Sequence, residues 1–129
     1  MRPPAPDSVQ VYVRFHKELC AAIEELAAQT GRKRATTAAW ILTREVEKLL
    51  RKCPDYRASA DDIGIDGTED VYYLSRGRQP ERVSGPAMIL TVDRRTERDL
   101  ELFAENLTMP VSNFRTALLA VYLRSLSLI

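Results

Sequence analysis

Cysteine, histidine and long apolar runs are all scarce in this chain of 129 residues. Its two cysteines, Cys20 and Cys53, lack the CxxC or Cys/His spacing of a zinc site or a disulfide framework, so we expect reduced thiols. No apolar run approaches the roughly 20 residues that cross a bilayer, and the start of the sequence has no hydrophobic signal core. These absences predict a cytoplasmic protein without a membrane partner, a metal or another cofactor.

Motifs for catalysis are missing as well. The sequence contains no Ser/His/Asp set, no paired-carboxylate motif, no GxGxxG and no Walker loop. The single histidine, His16, follows a strand pattern and precedes a helix pattern, which favours helix capping over catalysis. The acidic residues from Asp61 to Asp70 do not follow the EF-hand pattern and are interpreted as a solvated loop. We therefore expect no enzymatic activity.

The small net charge of +1 conceals an uneven distribution. Residues 1–53 carry ten Lys/Arg against six Asp/Glu, residues 54–86 carry four against seven, and residues 87–129 carry five of each. This balance excludes a generic, highly basic protein that coats DNA. A surface for nucleic acid, if the chain has one, is expected to depend on the basic first segment.

Hydrophobic periodicity predicts a strand followed by two helices in the first half of the chain. Val9 to Phe15 alternates between apolar and polar residues, as a half-buried strand does. From Lys17 to Gln29 apolar residues recur three and four positions apart, which indicates one face of a helix. Gly31 supplies a stop, and a second helix runs from about Ala35 to Lys52 before Pro54. Trp40, within this second helix, is interpreted as a core or helix-packing residue.

The same plan returns at an offset of 77 residues, without gaps through most of its length. Apolar positions of the first copy then fall on apolar positions of the second in all three elements. The aligned pairs are Val11/Met88, Val13/Leu90, Phe15/Val92, Ile23/Leu100, Leu26/Phe103, Ala27/Ala104, Ile41/Leu118, Leu42/Leu119 and Leu49/Leu126. Both copies show a strand with an apolar period of 2, followed by two helices with an apolar period of 3.6. Agreement of these patterns in the same order indicates a duplicated unit.

The duplication divides the chain into four parts. Residues 1–8 form a Pro-rich, extended lead-in, which suggests either a flexible arm or a fragment of a longer protein. Repeat 1 covers residues 9–53 and repeat 2 covers residues 87–129. Between them lies an acidic connector, residues 54–86, which is expected to pack partly against the core and to add a short strand at Val71–Leu74. One unit cannot close a core alone, so residues 9–129 are expected to share one.

Two strand-helix-helix units in one chain resemble the ribbon-helix-helix family of DNA-binding proteins. The resemblance implies a mainly α fold with a two-stranded antiparallel ribbon, arranged as an intramolecular pseudo-dimer and therefore monomeric in solution. In that family the ribbon enters the major groove of double-stranded DNA, and four helices form the body beneath it. The groove is wide enough for such a ribbon.

Strand alternation and the resemblance together define the candidate contacts. Gln10, Tyr12 and Arg14 face outward from the first strand, and Ala87, Ile89 and Thr91 face outward from the second. The resemblance implies that such residues read bases, whereas the simpler interpretation is an ordinary solvated strand face. The candidate base-reading residues are Gln10, Tyr12, Arg14, Ile89 and Thr91. The candidate phosphate-binding residues are Arg32, Lys33, Arg34, Arg94, Arg95, Ser112 and Asn113.

The first repeat carries a narrower resemblance. The segment from Val13 to Arg32, followed by Ala-Thr-Thr-Ala-Ala-Trp ending at Trp40, is similar to the C-terminal domain of the overdrive-binding proteins of virulence C operons in crown-gall T-DNA transfer. This similarity implies an accessory factor that binds plasmid DNA beside a T-DNA border, with the border-nicking relaxase and other T-DNA processing proteins as partners. Two alternatives are a plasmid or operon repressor and an antitoxin-like interaction module. The latter would need a toxin-binding tail beyond Leu128–Ile129.

Overall fold

A computed structural model describes residues 7–64 and 84–129 of the chain. The predicted lead-in before Asp7 and the predicted short strand at Val71–Leu74 lie outside the described residues. The elements, in chain order, are β1 (Ser8–His16), α1 (Lys17–Thr30), α2 (Arg34–Lys52), α3 (Ala60–Ile63), β2 (Ser84–Asp93), α4 (Arg94–Asn106) and α5 (Val111–Ser125). The described part is thus mainly helical with one two-stranded antiparallel sheet, as the coarse fold prediction states. In this part no helix is long and apolar enough to span a membrane.

Helix starts follow the sequence periodicity closely. The first helix begins at Lys17, as predicted, and its equivalent α4 begins 77 positions later at Arg94. The longer helices α2 and α5 begin at Arg34 and Val111, which are separated by the same offset. Gly31 ends α1 in the left-handed region, with φ of 67°, and its N–H group donates to carbonyls of the last turn. The predicted glycine stop is confirmed.

The two strands pair in a register that is centred on one residue pair. Tyr12 lies opposite Ile89, the residue exactly 77 positions later in the chain. On either side of this pair, Gln10 lies opposite Thr91 and Arg14 opposite Ala87. The regular ladder is interrupted between Arg14 and His16, opposite the segment of β2 that contains a proline. A proline lacks the N–H group for a ladder hydrogen bond, and such positions favour irregular pairing.

The core lies between the inner face of the sheet and the helices. The inward residues Val13, Phe15, Met88, Leu90 and Val92 are all buried. They belong to one hydrophobic cluster with residues of α1, α2, α4 and α5. Both predicted repeats therefore contribute side chains to the same core, and burial of this apolar surface is the main force that holds the strands on the helices.

The aligned apolar pairs occupy the core with two exceptions. Val11 is only partly buried at the margin of the cluster. Leu126 was predicted to be a core residue and is 43% exposed, so that prediction is wrong. The reason is that α5 ends at Ser125, one residue before Leu126, whereas the equivalent α2 continues to Lys52. The backbone then turns through Ser127, whose φ is 58°.

The described part of the connector packs partly against the core, as expected. Tyr56 donates its hydroxyl hydrogen to the Asp99 carboxylate at 2.8 Å, and its ring lies 5.2 Å from that of Phe103. The side-chain amide of Asn106 donates to the Tyr56 carbonyl at 2.8 Å. At the end of the short helix α3, Ile63 is buried in the shared core. These contacts hold Tyr56 on α4 and Ile63 in the shared core.

The structure gives further detail at three positions for which the sequence made local predictions. Repeat 2 was expected to begin at residue 87, but β2 already begins at Ser84, where Gly85 lies against the Cys20 side chain with no room for a Cβ atom. His16 occupies the N-cap position of α1, but its side chain makes no capping hydrogen bond. Of the two roles predicted for Trp40, the structure shows helix packing and not a core position: the side chain is 37% exposed, and its ring lies edge-on against that of Tyr122 in α5, with the centroids 5.8 Å apart.

Candidate nucleic-acid interface

The outward face of the β1–β2 ribbon brings the predicted base-reading residues together. Gln10, Arg14 and Thr91 are exposed, and at the centre Tyr12 is 66% and Ile89 58% exposed. Because their backbones pair directly across the ribbon, these side chains form one continuous surface. Exposure of two large apolar side chains at the same point is unusual for a solvated strand face.

The polar residues of β1 are linked to each other. The Arg14 guanidinium donates to the Tyr12 hydroxyl at 3.4 Å, and both side chains are exposed. Residues two positions apart on a strand project from the same face, so this contact follows from the alternation. Arg14 lies opposite Ala87, a residue with a short side chain. The contact with Tyr12 orients the Arg14 guanidinium, whose other N–H groups can donate to a different acceptor.

The three side chains of the basic turn before α2, those of Arg32, Lys33 and Arg34, lie in different surroundings. The Arg32 guanidinium lies over the Trp40 ring, 5.1 Å from its centroid. Arg34 forms an ion pair with Glu24 at 3.2 Å, and both side chains are about half exposed. Lys33 is exposed and, among the described residues, forms no ion pair. The turn was predicted as one phosphate grip, but only one of its three charges is left without a partner group.

The first turn of α2 presents backbone donors beside Lys33. This residue is the N-cap, in an extended conformation, and its side chain does not cap the helix. The first N–H groups of a helix have no carbonyl partner within it, and the helix dipole adds positive potential there. A phosphate oxygen is a suitable acceptor for such groups. Lys33 and the α2 N-terminus together are therefore suited to hold one phosphate.

The candidate phosphate residues of the second repeat lie in two helical first turns. Arg94 and Arg95 are exposed at the start of α4, beside the ribbon end where Ser8 pairs with Asp93. Ser112 and Asn113 lie at the start of α5, where Pro110 is the N-cap, so neither acts as the cap.

Similarity to known proteins adds nothing to this geometry. No protein-family model, curated protein or solved structure matches the chain.

Other reactive groups in the described part of the chain do not form a second chemical site. The thiols of Cys20 and Cys53 are free and buried. Burial raises the pKa of each thiol, and nearby carboxylates, Glu24 for Cys20 and Asp62 for Cys53, add to the effect. A raised pKa disfavours the reactive thiolate. Within residues 7–64 and 84–129, no group of three His, Cys, Asp or Glu residues is placed to hold a metal ion.

Sequence reasoning missed one feature of the surface, the exposed side of α2. The Arg44 guanidinium also lies over the Trp40 ring, 5.5 Å from the centroid, so two arginines contact one indole. Neither Trp40 nor Arg44 was among the predicted contacts. The signal was available in the four-residue spacing of Trp40, Arg44 and Lys48, which places them on one side of a helix.

Proposed function

We propose that this chain binds double-stranded DNA in a sequence-dependent manner as a ribbon-helix-helix pseudo-dimer within one polypeptide. The observation that carries the proposal is the pairing of Tyr12 with Ile89. In a ribbon formed by two equivalent strands, the residue on the two-fold axis pairs with its own equivalent. Tyr12 and Ile89 are equivalents at the offset of 77 that also relates the helix starts.

The dimensions and chemistry of the ribbon support docking in the major groove. A two-stranded ribbon fits that groove, and its outward side chains then meet the base edges. Arg14 has the donors for a bidentate contact with guanine, and Gln10 can pair with adenine. Ile89 offers an apolar contact to a thymine methyl group, and Thr91 offers a hydroxyl. Contact with base edges would account for the exposure of Tyr12 and Ile89 at the centre of the surface.

Phosphate contacts would fix the ribbon in the groove. Lys33 with the α2 N-terminus forms the stronger anchor, because a full charge is added to the backbone donors. Ser112 and Asn113 at the start of α5 bring only neutral donors to the equivalent position. Arg94 and Arg95 add positive charge at one end of the ribbon.

The two halves of the surface are chemically different. Gln10, Tyr12 and Arg14 stand on one strand, and Ala87, Ile89 and Thr91 stand at the equivalent positions of the other. A symmetric backbone with unequal side chains reads two unequal half-sites. The proposed target is therefore a non-palindromic sequence, which one polypeptide can bind in a single orientation.

The biological role that we propose is an accessory one in T-DNA border processing. It depends on the resemblance of the Val13–Arg32 segment to overdrive-binding proteins that the sequence suggests, together with the DNA surface proposed for the ribbon. Bound protein would position the relaxase and its partners at the border. A plasmid or operon repressor would use the same ribbon on a promoter sequence.

Fluorescence anisotropy with three labelled duplexes tests the proposal. One duplex contains an overdrive sequence, one a plasmid promoter and one a random sequence of equal length, each titrated over a series of salt concentrations. We expect salt-sensitive binding to all three, with tighter binding to the overdrive duplex. Preference for the promoter would replace the accessory role with repression. Absence of salt-sensitive binding to any duplex would overturn DNA binding itself.

A further inference from the structure

The exposed side of α2 carries a second basic surface that the ribbon does not account for. Trp40, Arg44 and Lys48 are spaced by four residues, and Arg51 follows one turn later. An open groove on this side is lined by Trp40, Thr43, Arg44, Glu47, Lys48 and Arg51. Three of the lining residues are cationic and one is anionic, so the groove has a net positive charge. Together with Arg32, these residues form the Trp40 surface, which consists of Arg32, Trp40, Arg44, Lys48 and Arg51.

The indole of Trp40 holds two guanidinium groups in place. Arg32 reaches it from the turn before α2 and Arg44 from the following helical turn, at 5.1 and 5.5 Å from the ring centroid. Cation-π contact restricts a guanidinium group without occupying its N–H donors. In the described part of the chain neither guanidinium has a carboxylate partner, in contrast to Arg34, which is paired with Glu24. The two groups are thus ordered and still able to bind an anion.

The surface has no equivalent in the second half of the chain. At the offset of 77, Arg32 and Trp40 correspond to Met109 and Ala117. The remaining positions, Arg44, Lys48 and Arg51, correspond to Val121, Ser125 and Leu128. Packing alone therefore does not require a basic aromatic cluster at this place in the fold. The difference points to a ligand that only the first half binds.

We infer that the Trp40 surface binds phosphate groups of duplex DNA that lie outside the segment contacted by the ribbon, an inference that rests on the proposed function. Two guanidinium groups ordered by Trp40, with the exposed Arg51 further along α2, are complementary to the regularly spaced charges of a nucleic-acid backbone, whereas Lys48 lies 3.9 Å from the Glu45 carboxylate. The phosphates come either from the flanking part of the same duplex or from a second duplex. Trp40 acts as a positioning residue because it orients Arg32 and Arg44.

The test compares duplexes of about one helical turn, roughly 10 bp, and of about three turns. The double variant Arg44→Ala/Arg51→Ala removes two charges from the surface. A matched control, Arg57→Ala/Arg98→Ala, removes two exposed charges elsewhere. On the long duplex we expect the first variant to lower the slope of log affinity against log salt by about two, since each phosphate contact contributes nearly one unit. The control is expected to leave the slope close to that of the parent.

Trp40 is tested without a change of charge. Trp40→Leu is expected to weaken binding to the long duplex several-fold, and Trp40→Phe is expected to recover most of the loss because a smaller ring still supports cation-π contact. Thermal melting of both variants shows whether a loss of fold accounts for weaker binding. Equal affinities for Trp40→Leu and Trp40→Phe would overturn the positioning role.

The short duplex separates the two sources of phosphate. In one outcome, the parent and Arg44→Ala/Arg51→Ala each bind one short duplex with equal affinity, and the variant binds only the long duplex more weakly than the parent. The phosphates then belong to the part of the same duplex that flanks the ribbon site. If the parent binds two short duplexes and the variant binds one, the phosphates belong to a second duplex. If Arg44→Ala/Arg51→Ala has the same affinity and salt slope as the Arg57→Ala/Arg98→Ala control on every duplex, phosphate binding by the Trp40 surface is overturned. DNA binding by the ribbon is not affected by that result. A parent that binds no duplex overturns both proposals.

Discussion

Arg115 of α5 and Glu97 of α4 form an ion pair in the interior, with side-chain exposures of 8% and 11%. At the offset of 77 the equivalent residues are Ala38 and Cys20, which are buried and uncharged. The two halves therefore pack equivalent helices in different ways, one with small apolar side chains and one with a buried pair of charges. Such a pair is favourable only when both partners are present, because each ion has lost its hydration.

This relationship predicts a strong non-additivity of substitutions. Arg115→Met leaves the Glu97 carboxylate buried without its partner, and we expect it to lower the free energy of unfolding by about 3 kcal/mol. The double variant Arg115→Met/Glu97→Leu removes both charges and is expected to be more stable than Arg115→Met alone. Urea denaturation of the parent, both single variants and the double variant provides the comparison. A double variant that loses the sum of the two single effects would contradict the pairing.

A second prediction concerns base recognition by Arg14. Arg14→Ala is expected to weaken specific binding by roughly 1 to 3 kcal/mol and to relax the preference at one base pair. Tyr12→Phe removes the hydroxyl that accepts from Arg14, so it is expected to relax the preference at the same base pair by a smaller amount. Selection of binding sites from random duplexes by the three proteins measures both effects. Relaxation at a different base pair in Tyr12→Phe would show that the hydroxyl reads DNA directly.

A third prediction ranks the charges of the basic turn. Replacing Arg32, Lys33 and Arg34 together is expected to weaken binding to every sequence. Singly, Lys33→Ala should lower the salt slope by about one, since each phosphate contact contributes close to one unit. Arg34→Ala should lower it less, because Glu24 already neutralises that guanidinium.

Glu24→Gln provides the complementary measurement for the basic turn. It releases Arg34 from its ion pair, so we expect tighter binding to random duplex at low salt than the parent shows. Anisotropy titrations with the single variants on the same random duplex give the ranking. A larger loss from Arg34→Ala than from Lys33→Ala would mean that Arg34 exchanges Glu24 for a phosphate on binding.

Much of the fold could be predicted because the apolar residues of each repeat recur with the period of a strand or of a helix. Alternation from Val9 to Phe15 identified the strand and its outward residues, and the offset of 77 relates the helix starts without a gap. The ribbon register was not predicted residue by residue. The observed Tyr12–Ile89 pair is consistent with the alignment, because two equivalent antiparallel strands can pair one residue with its own equivalent, but the alignment does not determine which residue that is.

The candidate site was less predictable, because partners distant in sequence determine what each charged side chain does. The run Arg32 to Arg34 is uniform in sequence, yet Arg32 contacts Trp40 and Arg34 contacts Glu24 on another helix. The sequence around Trp40 is apolar, which favoured a core or helix-packing position, and the structure shows the second of these. Its place at the edge of α2 depends on how that helix is rotated against its neighbours, and local periodicity defines this rotation only approximately.

The last prediction concerns the pH dependence of stability through Glu45, a largely buried residue of α2. Burial raises the pKa of this carboxyl above the ordinary 4.5, and the positive charges of Lys48, Arg44 and Lys52 only partly oppose the shift. The folded state therefore binds this proton more tightly than the unfolded state does. The resulting stabilisation is fully present below pH 4.5 and is lost as the pH rises through the folded-state pKa.

Glu45→Gln mimics the protonated carboxyl at every pH, so its comparison with the parent isolates this one group. At neutral pH we expect Glu45→Gln to be the more stable protein. As the pH falls toward 4.5, the difference in the free energy of unfolding should shrink, because the parent becomes protonated as well. Urea denaturation of both proteins at several pH values measures the difference, and effects of all other carboxyl groups cancel. If the parent instead loses stability relative to Glu45→Gln on acidification, the ion pair with Lys48 at 3.9 Å outweighs the cost of burial.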